Sequence, residues 1–254
     1  MSRPSRDLKV LARRRGLQGA LPPEKPGGDA DPKQVAGEHA ATLVRSGQIV
    51  GLGTGSTAVH AVRALGRRRK DEGLELLGIP TSLGTERVAR DLGIPITTLE
   101  EHPKVDITID GADEVDPHLT LIKGRGGALL REKIVAQATR REVIICDPSK
   151  VVPKLGLKTA LPVEVLRFGW MTTRAHLERL KAKARLREKD GSPFVSDNGN
   201  FIIDCQFRGI PDPEQLEEDI NTIAGVVENG LFVGIAHLVV VGQKDGTVKL
   251  MKRE

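Results

Sequence analysis

Apolar and polar positions change period again and again along this chain from residue 31 onward, and the changes predict elements. Asp31-Pro32-Lys33-Gln34 offers an N-cap, a proline at the first helical position and a glutamine at N3. The helix it opens shows an apolar side of Val35, His39, Ala40, Leu43 and Val44, with His39 packed into the core and Gly47 ending the helix. Ile49-Val50-Gly51-Leu52 then reads as a strand, Gly53-Thr54-Gly55-Ser56-Thr57 as a loop, and residues 58–65 as the start of a second helix. The same beat continues through strand 74–79, helix 86–92, an apolar stretch at 94–97, a strand marked by Val105, Ile107 and Ile109, the run Leu119-Thr120-Leu121-Ile122, a helix with a buried stripe of Leu130, Ile134, Val135 and Ala138, and strand 142–146. Strand and helix in alternation imply an α/β fold with a doubly wound, mostly parallel sheet and sites gathered at the C-terminal edge of its strands.

From about residue 161 the pattern changes. Strand 161–165, a helix over 171–187, a hairpin pairing 194–195 with 201–205 across Asp197-Asn198-Gly199-Asn200, a helix from Pro213 and a strand near Val226 predict a smaller α+β, ferredoxin-like unit. Residues 231–242 and 248–251 read as strands returning to the first sheet. The expected organisation is therefore a disordered basic extension over 1–30, a catalytic α/β domain over 31–160, a small α+β domain over 161–230, and returning strands over 231–254.

Composition narrows the function classes. The 254 residues are 39% hydrophobic and 29% charged, which suits a chain that buries a sizeable core. Aromatics make up only 2%, with no tyrosine, so stacking platforms for single-stranded nucleic acid are not to be expected. The net charge of +5 is misleading in the same respect. Residues 1–30 hold seven basic against three acidic residues, which leaves the body at only +1. No apolar run is long enough to span a membrane. Cys146 and Cys205 end apolar runs and read as small strand residues, with neither metal-ligand nor disulfide spacing, so a reducing cytoplasm is expected.

Chemistry concentrates in residues 104–136. After its strand the chain releases Asp110, Asp113, Glu114 and Asp116 into a loop, then supplies one cation, Lys123, flexible backbone at Gly124-Arg125-Gly126-Gly127, and a helix bearing Glu132. Neither three nor four residues from Glu132 does the helix carry a basic partner, which leaves two readings, an ordinary solvated helix glutamate and a partly desolvated carboxylate with a raised pKa facing a cleft. Upstream, Gly53-x-Gly55-x-x-Ala58 matches a dinucleotide fingerprint in form, with Glu75 some distance on. The ribose-binding acid belongs at the end of the second strand, however, and Glu75 stands at its beginning. What survives is either an ordinary strand-to-helix turn, which glycine favours, or an anion site, in which Thr54, Gly55, Ser56 and Thr57 present N–H groups and hydroxyls at a helix start. Lys150, just past the end of strand 142–146, is placed for a phosphate or sugar oxygen.

Asp110-Gly111-Ala112-Asp113-Glu114, Lys123-Gly124 and Arg131-Glu132-Lys133 at these spacings resemble the ribose-5-phosphate isomerases of the A type. The resemblance extends through Gly53-Thr54-Gly55-Ser56-Thr57, Asp147-Pro148-Ser149-Lys150, Leu161-Pro162-Val163-Glu164-Val165 and Ser196-Asp197-Asn198-Gly199-Asn200. It implies a cofactor-independent and metal-free aldose–ketose isomerase of the non-oxidative pentose phosphate pathway, acting on a small-molecule sugar phosphate through an enediolate. It also implies a cytoplasmic homodimer or homotetramer with no nucleic-acid or membrane partner. By the same resemblance Glu132 is the proton-shuttling base, and Asp110 and Asp113, with Gly111 and Ala112 between them, meet the sugar hydroxyls and assist ring opening. Lys123 with the backbone of Gly124, Arg125 and Gly126 holds the oxyanion side, residues 54–57 complete the substrate pocket, and Lys150, with Lys33 as a further candidate, binds substrate. Arg125 interrupts a glycine run here, and a positive φ at that position would strain it by about 1 kcal/mol or more. The competing readings are a sugar-phosphate-sensing module on a related fold, which needs no base, and a sugar-phosphate deaminase or acyl-CoA transferase.

Overall fold

A computed structural model describes residues 29–252. The basic extension expected over residues 1–30 lies outside the described residues except for its last two. The described chain opens with α1 (Pro32–Ala41), where the Asp31 carboxylate accepts from the Lys33 N–H at 3.0 Å. There follow β1 (Gln48–Leu52), α2 (Ala58–Glu72), β2 (Leu76–Pro80), α3 (Leu83–Asp91), β3 (Ile107–Gly111), β4 (Glu114–Val115), β5 (Leu121–Ile122), α4 (Leu129–Gln137) and β6 (Glu142–Cys146). The smaller unit comprises β7 (Leu161–Val165), α5 (Trp170–Arg179), β8 (Lys183–Leu186), β9 (Glu188–Lys189), β10 (Ser192–Pro193), β11 (Phe201–Gln206), α6 (Pro213–Asn221) and β12 (Val226–Asn229). The chain then runs through β13 (Leu231–Phe232), β14 (Leu238–Gly242) and β15 (Val248–Lys252).

Six strands form the central sheet in the order β15-β14-β6-β3-β1-β2, all parallel except the edge strand β15. Helices cover both faces, which is why β6 and β14 are buried along their whole length and, apart from Glu142 at the start of β6, read as continuous apolar runs. One face packs Val50, Leu52, Ile107, Ile109, Val143, Ile145 and Val240 against α1 and α2. The other packs Ile144, Cys146, Val239 and Val241 around Phe232 and Ala136 of α4. With Ile107 and Ile109 committed to the first face, the period of two sends Thr108 and Asp110 toward α4, and the Thr108 hydroxyl lies 2.7 Å from that of Thr139 just past the helix. Strand order reverses between β1 and β3, so the crevice beyond their C-terminal ends is where such a sheet holds a ligand.

α1 departs from its predicted face. It buries Ala36, Gly37, Ala40 and Ala41, leaves His39 only half-buried, and ends at Ala41, well before Gly47. Close approach to α2 decides this, because a Cβ on Gly37 would come within 2.8 Å of the Ala61 backbone nitrogen. The stretch at 94–97 supplies a single parallel bridge, Gly78 with Ile96.

The smaller unit runs β-α-β-β-α-β with an antiparallel sheet in the order β12-β7-β11-β8, a ferredoxin-like arrangement with the β9–β10 hairpin inserted. Its helix stops at Arg179 and not at 187. Lys181 takes a φ of 66°, and the basic stretch beyond it becomes strand β8. The tight hairpin is at Asp190-Gly191, whose φ values of 54° and 75° are those of a primed turn. Val195 only bridges Phe201, so Asn198-Gly199 does not connect two paired strands as predicted. Nor does β13 return to the central sheet: it pairs with β5 in a three-stranded sheet, which seats Leu231 in the core of the smaller unit and Phe232 beneath the central sheet. Among the described residues no helix is long and apolar enough to cross a membrane.

Candidate active site

Asp110 ends the buried part of β3 and is 1% exposed. Its Oδ1 accepts from the N–H groups of Thr54 at 3.0 Å and Gly111 at 2.6 Å, while Oδ2 lies 3.1 Å from the Lys123 ammonium. The glycine-rich loop can sit this close only because Gly53 lacks a side chain, since a Cβ there would fall 2.3 Å from Asp110 Oδ1. One carboxylate thus ties the loop after β1, the end of β3 and Lys123 together.

Lys123 follows β5 and is 2% exposed; besides Asp110 it donates to the Gly111 carbonyl and lies 3.3 Å from Glu132 Oε1. Burial by itself lowers its pKa, but Asp110, Glu132 and Glu142 outweigh that and hold the ammonium charged well above the ordinary lysine range. Glu132 lies in the first turn of α4, 5% exposed, with Oε2 buried and unpartnered among the described residues. Burial, reinforced by Asp110 and Asp113 and opposed by Lys123, pushes its pKa up to about 8. That brings the carboxyl close to the neutral range, where a group can both take and return a proton. Behind them Glu142 of β6 is 1% exposed, and its pKa is raised by burial, then by Asp110 and Glu132, against the pull of Lys123.

The predicted stripe on α4 is rotated. Leu129, Glu132, Lys133, Val135 and Ala136 are buried, and Ile134 is 46% exposed. Charged residues occupy the inner face because partners distant in the chain receive them. Lys133 is held by Glu217 at 2.8 Å and Glu228 at 2.7 Å, and Arg131 donates to Asn198 Oδ1 at 2.9 Å.

Glu132 opens onto a cavity of about 300 Å³, at the lower end of the range for small-molecule sites. Its wall includes residues 54–57, Gly111, Ala112, Asp113, Lys123, Gly124, Arg125, Gly126, Lys33 and Lys150, so the structure gathers every predicted site residue but one around a single space. The exception is Asp110, which stands behind the wall with both oxygens engaged. At the solvent end no side chain caps the start of α2, Thr57 makes no capping bond, and the Lys33 ammonium reaches the Ser56 hydroxyl at 3.0 Å. Thr54 is anchored through its hydroxyl to those of Thr81, Ser82 and Thr85 at 2.8 to 3.0 Å, a cluster that the apolar pattern did not reveal.

The acidic loop divides in two. Asp113 is half-buried at the cavity and accepts the Arg125 N–H at 2.9 Å. Glu114 is spent on the N–H groups of Gly156, Lys158 and Thr159, and Asp116 on those of His118 and Thr120. The strain anticipated at Arg125 is absent. Gly124 and Gly127 take the left-handed φ values of 101° and 84°, while Arg125 is not among the non-glycine residues with positive φ. A larger hollow of about 620 Å³ lies on the smaller unit along Leu180, Phe207 and Leu216. None of the groups with a shifted pKa lines it, and the chemistry selects the smaller cavity.

Known proteins resemble this chain over most of its length. The family described as ribose 5-phosphate isomerase A (phosphoriboisomerase A) matches residues 77–246. The chain is 50% identical over 216 residues to the ribose-5-phosphate isomerase A of Synechococcus sp. (strain JA-3-3Ab), spanning 84% of this chain and 94% of that one. Against that of Gloeobacter violaceus it is 53% identical over 215 residues, spanning 84% and 93%. Among solved structures, ribose 5-phosphate isomerase A from Methanocaldococcus jannaschii superposes with a TM-score of 0.83 at 43% identity, over 87% of this chain and 97% of that one. A D-ribose-5-phosphate isomerase in complex with phospho-erythronic acid gives 0.84 at 40% identity, over 87% and 97%.

Proposed function

The chain belongs to the ribose 5-phosphate isomerase A family and is an enzyme of the pentose phosphate pathway that interconverts ribose 5-phosphate and ribulose 5-phosphate, and on that premise we propose how its residues divide the work. Glu132 carries the proton, Lys123 meets the charge that develops on the sugar oxygens, and residues 54–57 with Lys33 and Lys150 hold the phosphate. The observation that carries this assignment is the buried Glu132 carboxyl, raised to about 8 and facing an ammonium at 3.3 Å beside the cavity.

With the open-chain aldose in place, the Glu132 carboxylate takes the proton from C2. The C–H pair becomes the C1=C2 double bond, and the carbonyl pair moves onto O1. Protonation cancels the charge on Glu132 and frees part of the field of Lys123 for the enediolate oxygens. This is stabilisation realised only as the reaction proceeds. The same carboxylic acid then delivers its proton to C1 while the O2 proton passes to O1. Asp113 has one oxygen on the Arg125 N–H and offers the other to the sugar hydroxyls and to ring opening. Asp110 acts from behind the wall as the positioning residue of Lys123 and of the Thr54 N–H. The phosphate faces the uncapped start of α2 and two lysines, so remote binding energy orients the sugar over Glu132. A related isomerase solved with phospho-erythronic acid, itself a phosphorylated sugar acid, supports a sugar phosphate as the ligand.

No step moves a hydride, so no cofactor enters the proposal. We add to it a cytoplasmic homodimer or homotetramer, for which the exposed apolar residues Leu166, Phe168 and Met171 offer surface to cover; light scattering reads that state. The chemistry is tested in deuterated water. The wild type should wash solvent deuterium into C1 of ribulose 5-phosphate and C2 of ribose 5-phosphate, and Glu132→Gln should bind the sugar phosphate yet isomerise and exchange it at least about a hundredfold more slowly. Exchange at an undiminished rate in the variant would remove Glu132 as the base.

A further inference from the structure

Two runs take no part in the chemistry above, Leu161-Pro162-Val163-Glu164-Val165 and Ser196-Asp197-Asn198-Gly199-Asn200, and in the fold they meet. Glu164, fully buried on β7, accepts through Oε1 from Ser196 Oγ at 2.7 Å, Asn198 Nδ2 at 3.1 Å and Asn200 Nδ2 at 3.0 Å. Arg167 donates to the Gly199 carbonyl at 2.6 Å. The loop is thereby held from within the smaller unit, and its outward groups all reach the other one. Asn198 Oδ1 and the Asp197 carbonyl receive the guanidinium of Arg131 at 2.9 and 3.2 Å, and Asp197 Oδ2 accepts the Leu83 N–H at 2.8 Å.

Neither target lines the cavity itself, but each adjoins an element that does. Arg131 is the residue before Glu132 on α4, and Leu83 is the first residue of α3, whose start also binds the Thr54 hydroxyl through Ser82 and Thr85. We propose that residues 196–200 form a strap that sets the helix carrying Glu132 at its working distance from the substrate-binding loop, with Asp197 and Asn198 as positioning residues for the isomerisation. The inference rests on Glu132 being the base.

α4 needs such a restraint. It has only nine residues, and no side chain caps its start at Ala128. Three consecutive residues are directed three ways, Arg131 to the strap, Glu132 to Lys123, and Lys133 to Glu217 of α6 and Glu228 of β12. The smaller unit therefore grips the helix on both sides of the base. A displacement of about 1 Å at a reacting group can cost on the order of a hundredfold in rate, whereas phosphate binding tolerates it better. Loosening the strap should appear in kcat before it appears in KM. The carboxylate of Asp197 also sits at the start of α3, where the positive end of the helix dipole favours it.

Asp197 and Asn198 are exposed, so replacing them leaves the apolar cores intact; Asn198→Ala also takes one of three donors from the buried Glu164 carboxylate, which Asp197→Ala does not touch. We expect Asp197→Ala and Asn198→Ala to lower kcat about tenfold, with KM for ribose 5-phosphate changed less than about threefold. Asp197→Asn, which keeps an oxygen for the Leu83 N–H, should recover most of the activity. Asn198→Ala combined with Arg131→Ala should lose less than the product of the two single losses, because the variants share the 2.9 Å contact while each also removes one bond of its own, Arg131 to the Asp197 carbonyl and Asn198 to Glu164. Unchanged kcat in the alanine variants, a loss confined to KM, no recovery in Asp197→Asn, or fully multiplied losses in the double variant would each overturn the strap. Glu132→Gln assayed alongside keeps the two readings apart. An active glutamine variant removes the base assignment, while an inactive one with wild-type strap variants removes the strap alone.

Discussion

At the inner end of the cavity Lys123 and Glu132 are almost sealed from water, in contact with each other and with Asp110 behind. At the outer end Gly55 and Ser56 are exposed, Lys33 and Lys150 are half-buried, and the start of α2 is left uncapped. Both ends are polar and both carry positive charge, yet they suit different tasks. In the sealed end a charge feels its neighbours strongly, so removing one proton from Glu132 changes the field at Lys123 and at whatever lies between them. In the open end water screens the lysines, and what they offer is attraction and orientation for a dianion. Chemistry belongs where the dielectric is low, and capture where ligand and solvent can exchange.

The comparison breaks most visibly at Glu132. Glu132→Gln should lower kcat by about a hundred- to ten-thousandfold with little change in KM, the span of a positioned general base, as measured by steady-state kinetics. Lys123→Ala should come next, at about a hundred- to a thousandfold in kcat. Unlike the glutamine variant it should also unfold at a lower temperature, because it strands the Asp110 carboxylate, together with any ionised Glu132, in the interior.

Titration sharpens the contrast further. Glu132 must be ionised to accept a proton, so kcat/KM should rise about tenfold per pH unit below 8 and level off above it, a limb that a sugar-phosphate binding assay should not share. Stability runs the other way. The folded carboxyl keeps its proton to about pH 8, whereas the unfolded one loses it in the ordinary glutamate range. The contribution of Glu132 to stability is therefore complete below that range and is lost as pH rises to 8. Thermal melts of Glu132→Gln and wild type should accordingly separate between pH 5 and pH 8, with the glutamine variant increasingly the more stable. The smallest effects belong to the open end. Lys150→Ala and Lys33→Ala should each raise KM by about tenfold with kcat within about twofold, and the loss should shrink at high salt. A fall in kcat without a rise in KM would mean that these lysines touch the reacting carbons instead.

Much of this was legible in the chain itself. The alternation of apolar strands with helices determined the doubly wound sheet, and β6 in it, like β7 in the smaller unit, fell where the runs predicted. Glycines at 53 and 55 followed by hydroxyls marked the loop that lines the cavity, and the absence of a cation three or four residues from Glu132 marked it as unusual. What periodicity could not give was the inner face of α4. A pattern of apolar and polar residues assigns charged side chains to solvent, so it placed Ile134 inside and was silent about Lys133. A buried charge is tolerated only when partners meet it, and the partners here, Lys123 for Glu132, Glu217 and Glu228 for Lys133, and Asn198 for Arg131, lie between 9 and 95 residues away. For the same reason nothing in the sequence showed that Asp110 is buried behind the cavity wall, with Gly53 packed against it and Lys123 at 3.1 Å. The residue types needed for a proton shuttle are written in the sequence; their burial, and with it the raised pKa of Glu132, exists only once the sheet, the loop after β1 and the smaller unit have closed around them.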